Sequence, residues 1–144
     1  MPKIKPLSSM ITPRYADVAT FFRLPIEKDL SKLDYCICGV PWDGGTTNRP
    51  GARHGPREIR NASSLVRSYH PVSLKSPYDI YNIADIGDCN VNPADLNDSL
   101  SKIEIFYKEI YESNTVPISI GGDHLISLPI LRGLKNEEPI GLFQ

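Results

Sequence analysis

Hydrophobic positions along this chain fall into two alternating kinds of segment. Tyr35-Cys36-Ile37-Cys38-Gly39-Val40 is a short, continuous apolar run bounded by Asp34 and Pro41, the pattern of a strand buried on both faces. Ile80 to Ile86, ended by Gly87, predicts a second strand, and Val116 to Ile120, closed by Gly121-Gly122, a third. Ile140 to Phe143 begins a fourth. Between these runs the period changes. After Gly55-Pro56, the residues Ile59, Ala62, Leu65 and Val66 recur at helical spacing, and a proline in a first helical turn removes only an N–H that would lack a partner anyway. A longer helix is expected to open near Asn92-Pro93, with Leu96, Leu100, Ile103, Tyr107, Ile110 and Tyr111 on one core-facing stripe. Ser127 is expected to cap a short helix through Leu134, with Pro129 tolerated in its first turn. Before all of this, residues 1–33 scatter prolines through short apolar patches and predict an extended arm with one short helix.

Strands alternating with crossover-length helical segments predict an α/β fold, a parallel sheet between two helix layers. The expected organisation is an arm over 1–33 and a single α/β domain over 34–144. Because the sequence stops at Gln144, beside the fourth predicted strand, the sheet is expected to be truncated. Ligands of such sheets gather at the carboxyl edge of the strands. Chemistry is therefore sought at Trp42-Asp43, Asp85 to Asp88 and Asp123-His124.

Composition narrows the function classes. Sixteen Lys and Arg balance 17 Asp and Glu, a net charge of −1, so the chain carries no electrostatic footprint for nucleic acid. Its apolar runs fall far short of the roughly 18 residues of a spanning helix, so no membrane segment is expected. No apolar stretch follows Met1-Pro2-Lys3-Ile4-Lys5, which reads as a cytoplasmic start without a leader. Three cysteines in 144 residues argue against a disulfide framework. Cys36 and Cys38 share one face of their strand, where thiols behave as small buried hydrophobes.

Gly121-Gly122-Asp123-His124 is the sharpest local signal. Paired glycines permit a tight turn, and the carboxylate and imidazole that follow are both competent ligands for a divalent metal. An N-capping Asp beside an exposed His is the plainer reading of these four residues. The Gly44–Gly55 loop could cradle phosphate at a helix start, but it lacks the P-loop ending. A loop that supports the helix start is the stronger expectation, with Arg49 and Arg53 in ion pairs or facing a substrate or subunit neighbour. Asp85 and Asp88 flank Gly87, and ordinary turn chemistry is favoured for them over a paired-carboxylate site.

Together, Gly39-Val40-Pro41-Trp42-Asp43-Gly44-Gly45, Arg49-Pro50-Gly51-Ala52-Arg53-His54-Gly55-Pro56-Arg57-Glu58-Ile59-Arg60, Asp85-Ile86-Gly87-Asp88 and Gly121-Gly122-Asp123-His124 resemble the ureohydrolases, the family of arginase, agmatinase and the guanidino-acid hydrolases. Pro13-Arg14-Tyr15 and the residues after His124 look closer to agmatinase and to guanidinopropionase- or guanidinobutyrase-like members than to arginase. The resemblance implies a three-layer α/β/α sandwich and a binuclear manganese centre. It also implies a bridging hydroxide that attacks a guanidino carbon to release urea and an amine, and a homo-oligomeric full-length protein. It assigns a metal-ligand role to His124, with Asp123 as a supporting neighbour. The family's other ligands lie in a later Asp-x-His-x-Asp block and a later pair of aspartates, and neither pattern occurs before Gln144. This chain by itself is therefore expected to be inactive. The competing expectations are a non-catalytic module, acting in oligomerisation or as half of a split enzyme, and a phosphate-binding protein using Gly44–Gly55.

Overall fold

A computed structural model describes residues 3–135 together with Gly141 and Phe143. Three strands form one sheet in the order β2-β1-β3, with β1 Tyr35–Val40, β2 Ile83–Asp88 and β3 Val116–Gly121. Both pairings are parallel, with Tyr35 opposite Ile83 on one side and Val116 on the other. Helices α1 Gly55–Ser63, α2 Leu96–Glu112 and α3 Ser127–Gly133 complete the order of elements.

The central strand follows the sequence pattern. Cys36, Cys38 and Val40 face one side, where they pack with Ala84, Ile86, Ile103, Tyr107 and Ile110. Ile37 faces the other side and packs with Phe21, Leu24, Tyr78 and Ile83. Side chains alternate across a strand, so these two clusters are the two interlayer cores of an α/β/α sandwich. The α2 layer rests on an apolar stripe of Ile103, Tyr107 and Ile110, all 1 % exposed or less; complete burial of each is worth roughly 1.5–3 kcal/mol. Leu96 and Tyr111, expected on the same stripe, lie at its margins and are half-exposed.

Several element boundaries differ from expectation. The second strand begins at Ile83 rather than Ile80 and runs through Gly87 to Asp88; Gly87 takes φ +86° where the register with β1 shifts between Ile37 and Cys38. Helix α2 begins at Leu96, because the Asp95 carboxylate accepts the Asp98 N–H at 2.9 Å and caps it there. Ser127 does not cap α3. A 3-10 turn over His124–Ile126, capped by Asp123, leads straight into that helix, which has no side-chain cap of its own. The arm contains two 3-10 turns, Phe21–Arg23 and Leu30–Lys32, rather than one short helix. The fourth strand expected over 140–143 rests on Ile140 and Leu142, which lie outside the described residues. Among the described residues no helix is long and apolar enough to cross a membrane.

Helix α1 departs most from the pattern read in the sequence. Of the series read at helical spacing, Ile59 on the helix is 39 % exposed, and the helix ends at Ser63, so Leu65 and Val66, 68 % and 53 % exposed, lie beyond it. The helix buries Pro56 and Ser63 and holds Arg60 between them. Residues spaced by four and three share a helix face. The inward face of α1 is therefore Pro56, Arg60 and Ser63, and it is held by charge.

Candidate functional site

Parallel strands end on the same side, so Val40, Asp88 and Gly121 deliver their following residues to one edge of the sheet. At the end of β1 the chain passes through Pro41 and Trp42 to Asp43, whose side chain is buried. The Asp43 carboxylate accepts Arg53 Nε at 2.5 Å and the Gly51 N–H at 2.6 Å. Hydrogen bonding from Arg53, then from the Gly51 amide, holds its carboxyl down at about 2. The Gly44–Gly55 loop is thus wound around an anion of its own, and donors that could have faced a phosphate face Asp43 instead. Arg53 belongs to this ion pair, and Arg49 is exposed.

The turn after β3 is docked onto the end of β1. Asp123 N–H donates to the Trp42 carbonyl at 2.8 Å. Such close approach requires glycine just before it, since a Cβ on Gly122 would overlap the Trp42 carbonyl oxygen. Asp123 then spends both carboxylate oxygens on backbone donors, Gly45 N–H at 2.6 Å and Leu125 N–H at 2.9 Å. One carboxylate therefore ties the β1 loop to the β3 turn and caps the turn that carries His124. The His124 side chain is exposed at this edge.

At β2 the two aspartates have separate surroundings. Asp85 is fully buried, and its oxygens accept Arg60 Nε at 2.8 Å and Arg60 Nη2 at 3.0 Å. Phe21 N–H at 3.0 Å and Gly87 N–H at 2.8 Å complete its partners. Burial pushes the Asp85 carboxyl up, but Arg60 and the two amides outweigh it, leaving the carboxyl below its ordinary value. Arg60 also reaches Asp88 at 2.7 Å and lies 4.0 Å over the Phe21 ring. The turn expected around Gly87 survives only as the Gly87-to-Asp85 hydrogen bond. What the two aspartates chiefly do is receive Arg60, which clamps the arm and α1 to the sheet.

These residues place one candidate metal ligand, His124, at the carboxyl edge. Asp123, Asp43 and Asp85 have their oxygens committed to protein donors, and no group of three or more His, Cys, Asp or Glu side chains among the described residues is arranged to hold a metal. The described residues alone do not make a manganese site. Trp42 Nε1 is buried without a hydrogen-bond partner among the described residues, but an indole N–H is a donor and ligates nothing. The cysteines are core groups: Cys36, Cys38 and Cys89 are buried and unbridged, and burial, with smaller charge effects, pushes the Cys89 thiol up to about 12. Cys38 Sγ lies 3.3 Å from the Tyr107 hydroxyl, which in turn donates to Ser119.

A sequence profile described as the arginase family matches residues 33–144. The chain belongs to that family. Guanidinopropionase of Pseudomonas aeruginosa is 54 % identical over 138 residues, covering 96 % of this chain and 43 % of that protein. The structure of proclavaminate amidino hydrolase from Streptomyces clavuligerus matches with a TM-score of 0.81 at 36 % identity, over 85 % of this chain and 40 % of that one. A variant of formiminoglutamase from Trypanosoma cruzi, solved with Mn2+, matches with a TM-score of 0.62 at 26 % identity, over 72 % of this chain and 35 % of that one. The chain spans about two fifths of the length of these relatives. Within an arginase-family sheet, the residue that sequence reasoning missed is Arg60. Its signal was the spacing of Pro56, Arg60 and Ser63 opposite two aspartates in the second strand, masked by the more obvious apolar series of Ile59, Ala62, Leu65 and Val66.

Proposed function

We propose that this chain supplies the first strands of a manganese-dependent hydrolase of guanidino compounds, agmatine or a guanidino acid, and that His124 is one ligand of its metal centre. In the reaction, water adds to the guanidino carbon, one C–N bond breaks, and urea and a protonated amine leave. Manganese, when bound, supplies Lewis acidity toward water and the guanidino group. The residues of this chain do the positioning. Gly122 permits the β3 turn to touch the end of β1, and Asp123 locks that turn to Gly45. The imidazole is thereby held on rigid backbone at the edge where ligands of parallel sheets collect. The remaining ligands would come from outside the described residues.

The observation that carries this reading is the exposed His124 on a doubly fastened turn at the carboxyl edge of an arginase-family sheet. The names of the guanidinopropionase and amidino hydrolase relatives support the substrate class, and the Mn2+ in the formiminoglutamase structure supports the metal. The test is urea release by the full protein from 3-guanidinopropionate and from agmatine, with manganese and after chelation. Turnover with manganese that is lost on chelation is expected. Absence of urea from every guanidino substrate in manganese-loaded protein would refute the proposal.

Assembly of the full-length enzyme into a homo-oligomer has one observation in its favour. Met10, Ile11, Tyr15 and Val18 on the arm are each at least 79 % exposed, and grouped exposed apolar residues mark contact surfaces. We propose that they serve a homo-oligomer of the enzyme. Sedimentation of Tyr15→Ser should then show smaller particles than the unchanged protein.

A further inference from the structure

Helix α1 starts beside the carboxyl edge, where a Cβ on Gly55 would lie 2.7 Å from the Gly121 carbonyl oxygen, and it runs back toward the amino edge. There the arm and the segment joining α1 to β2 enclose a groove of about 450 Å³. Lys5, Arg14, Arg23 and Arg67 line it, against a single carboxylate, Asp79. Lys5 pairs with Asp79 at 2.5 Å. Three guanidinium charges remain without a counter-charge in the groove.

Two of these guanidinium groups are fixed by neutral partners. Arg14 Nη1 donates to the Leu65 carbonyl at 2.9 Å, and Arg23 Nη2 donates to the Thr12 carbonyl at 2.8 Å. A backbone carbonyl orients a guanidinium without cancelling its charge, and most of its five N–H donors stay available. Arg67 adds an exposed guanidinium from the α1–β2 segment, and Ser9 and Ser68 bring hydroxyl donors from the two sides. The backbone around the groove is unusual too. Phe22, Arg23 and Leu74, with φ of 54°, 60° and 55°, are three of the five non-glycine residues in left-handed conformation among the described residues. Such conformations persist where the surroundings enforce them and collect at binding sites.

We infer that this groove binds a phosphate-class dianion, either inorganic phosphate or a phosphomonoester. Positive charges lining a cleft raise the local concentration of anions, and three guanidinium forks, two from the arm and one from the α1–β2 segment, suit the several oxygens of a phosphate better than the two of a carboxylate. The inference is independent of the proposed hydrolysis.

The test is thermal unfolding of the full protein with inorganic phosphate titrated against sodium chloride at matched ionic strength, repeated by phosphorus NMR. A saturable rise in Tm with phosphate alone is expected. Arg67→Gln, at an exposed position, should weaken the apparent affinity about tenfold, the scale of one charged hydrogen bond. Arg49→Gln, on the carboxyl-edge loop, should leave it unchanged. Tighter binding of glycerol phosphate than of phosphate would identify a phosphomonoester site, and equal binding a site for phosphate itself. No saturable binding by either method, or binding that Arg67→Gln leaves intact, would overturn the inference.

Discussion

Helices α2 and α1 are fastened to opposite faces of the sheet by different forces. Under α2, Ile103, Tyr107 and Ile110 press on Cys36, Cys38 and Ala84, a dry contact whose strength scales with apolar area. Under α1, a bidentate Arg60–Asp85 pair stands where an apolar helix face would be expected, and the Phe21 amide binds the same carboxylate. The apolar face loses stability in proportion to the volume removed. On the ionic face, removing one partner strands the other in a medium that cannot solvate it, so the loss is abrupt.

This contrast orders the expected mutational effects. Arg60→Met leaves the fully buried Asp85 with only backbone partners and should cost about 3–5 kcal/mol in denaturant unfolding. Adding Asp85→Asn should recover part of that loss; a double variant no more stable than the single would show that Arg60 acts through packing on Phe21. Ile103→Ala on the opposite face should cost about 2–5 kcal/mol and gain nothing from a change at Asp85. At the sheet edge the ion pair of Asp43 has a partly exposed partner, Arg53, and can be read by pH. Its carboxyl is lowered from 3.8 to about 2, so its contribution is fully present above the unfolded value and is lost as pH falls through the folded one. The fall of Tm between about pH 4 and pH 2 should therefore be shallower in Asp43→Asn than in the unchanged protein. Smallest of all, Ile59→Gln on the outward side of α1 should change stability by no more than about 0.5 kcal/mol. A loss comparable to that of Ile103→Ala would restore the apolar reading of this helix.

The same contrast explains what the sequence made legible. Periodicity reports burial of apolar groups, so the first strand, the centre of α2 and the parallel α/β class could all be read directly. It says nothing about a buried ion pair, because Arg60 and Asp85 count as polar wherever they lie. Helix α1 therefore opens at Gly55-Pro56 as the sequence predicts but ends at Ser63, short of Leu65 and Val66, and its inward face is Pro56, Arg60 and Ser63 instead of the apolar series. Cap positions moved for a related reason: Asp95 and Asp123 compete with their neighbours for the same amides, and only tertiary placement decides which one wins. At the carboxyl edge, the reading of Asp123 as a capping residue agrees with the Leu125 N–H that its carboxylate accepts. The loop after Trp42 could not be resolved from residue types alone, since its glycines and arginines serve a phosphate and a buried aspartate equally well.

Metal binding at the carboxyl edge depends on His124, and the bound metal reports that role most directly. Manganese content and the electron paramagnetic resonance spectrum of the full protein should be compared with those of His124→Asn, after circular dichroism has shown that the variant is folded. Loss of manganese, or a changed spectrum with reduced affinity, is the predicted result. Unchanged manganese content and an unchanged spectrum in a folded His124→Asn protein would contradict it.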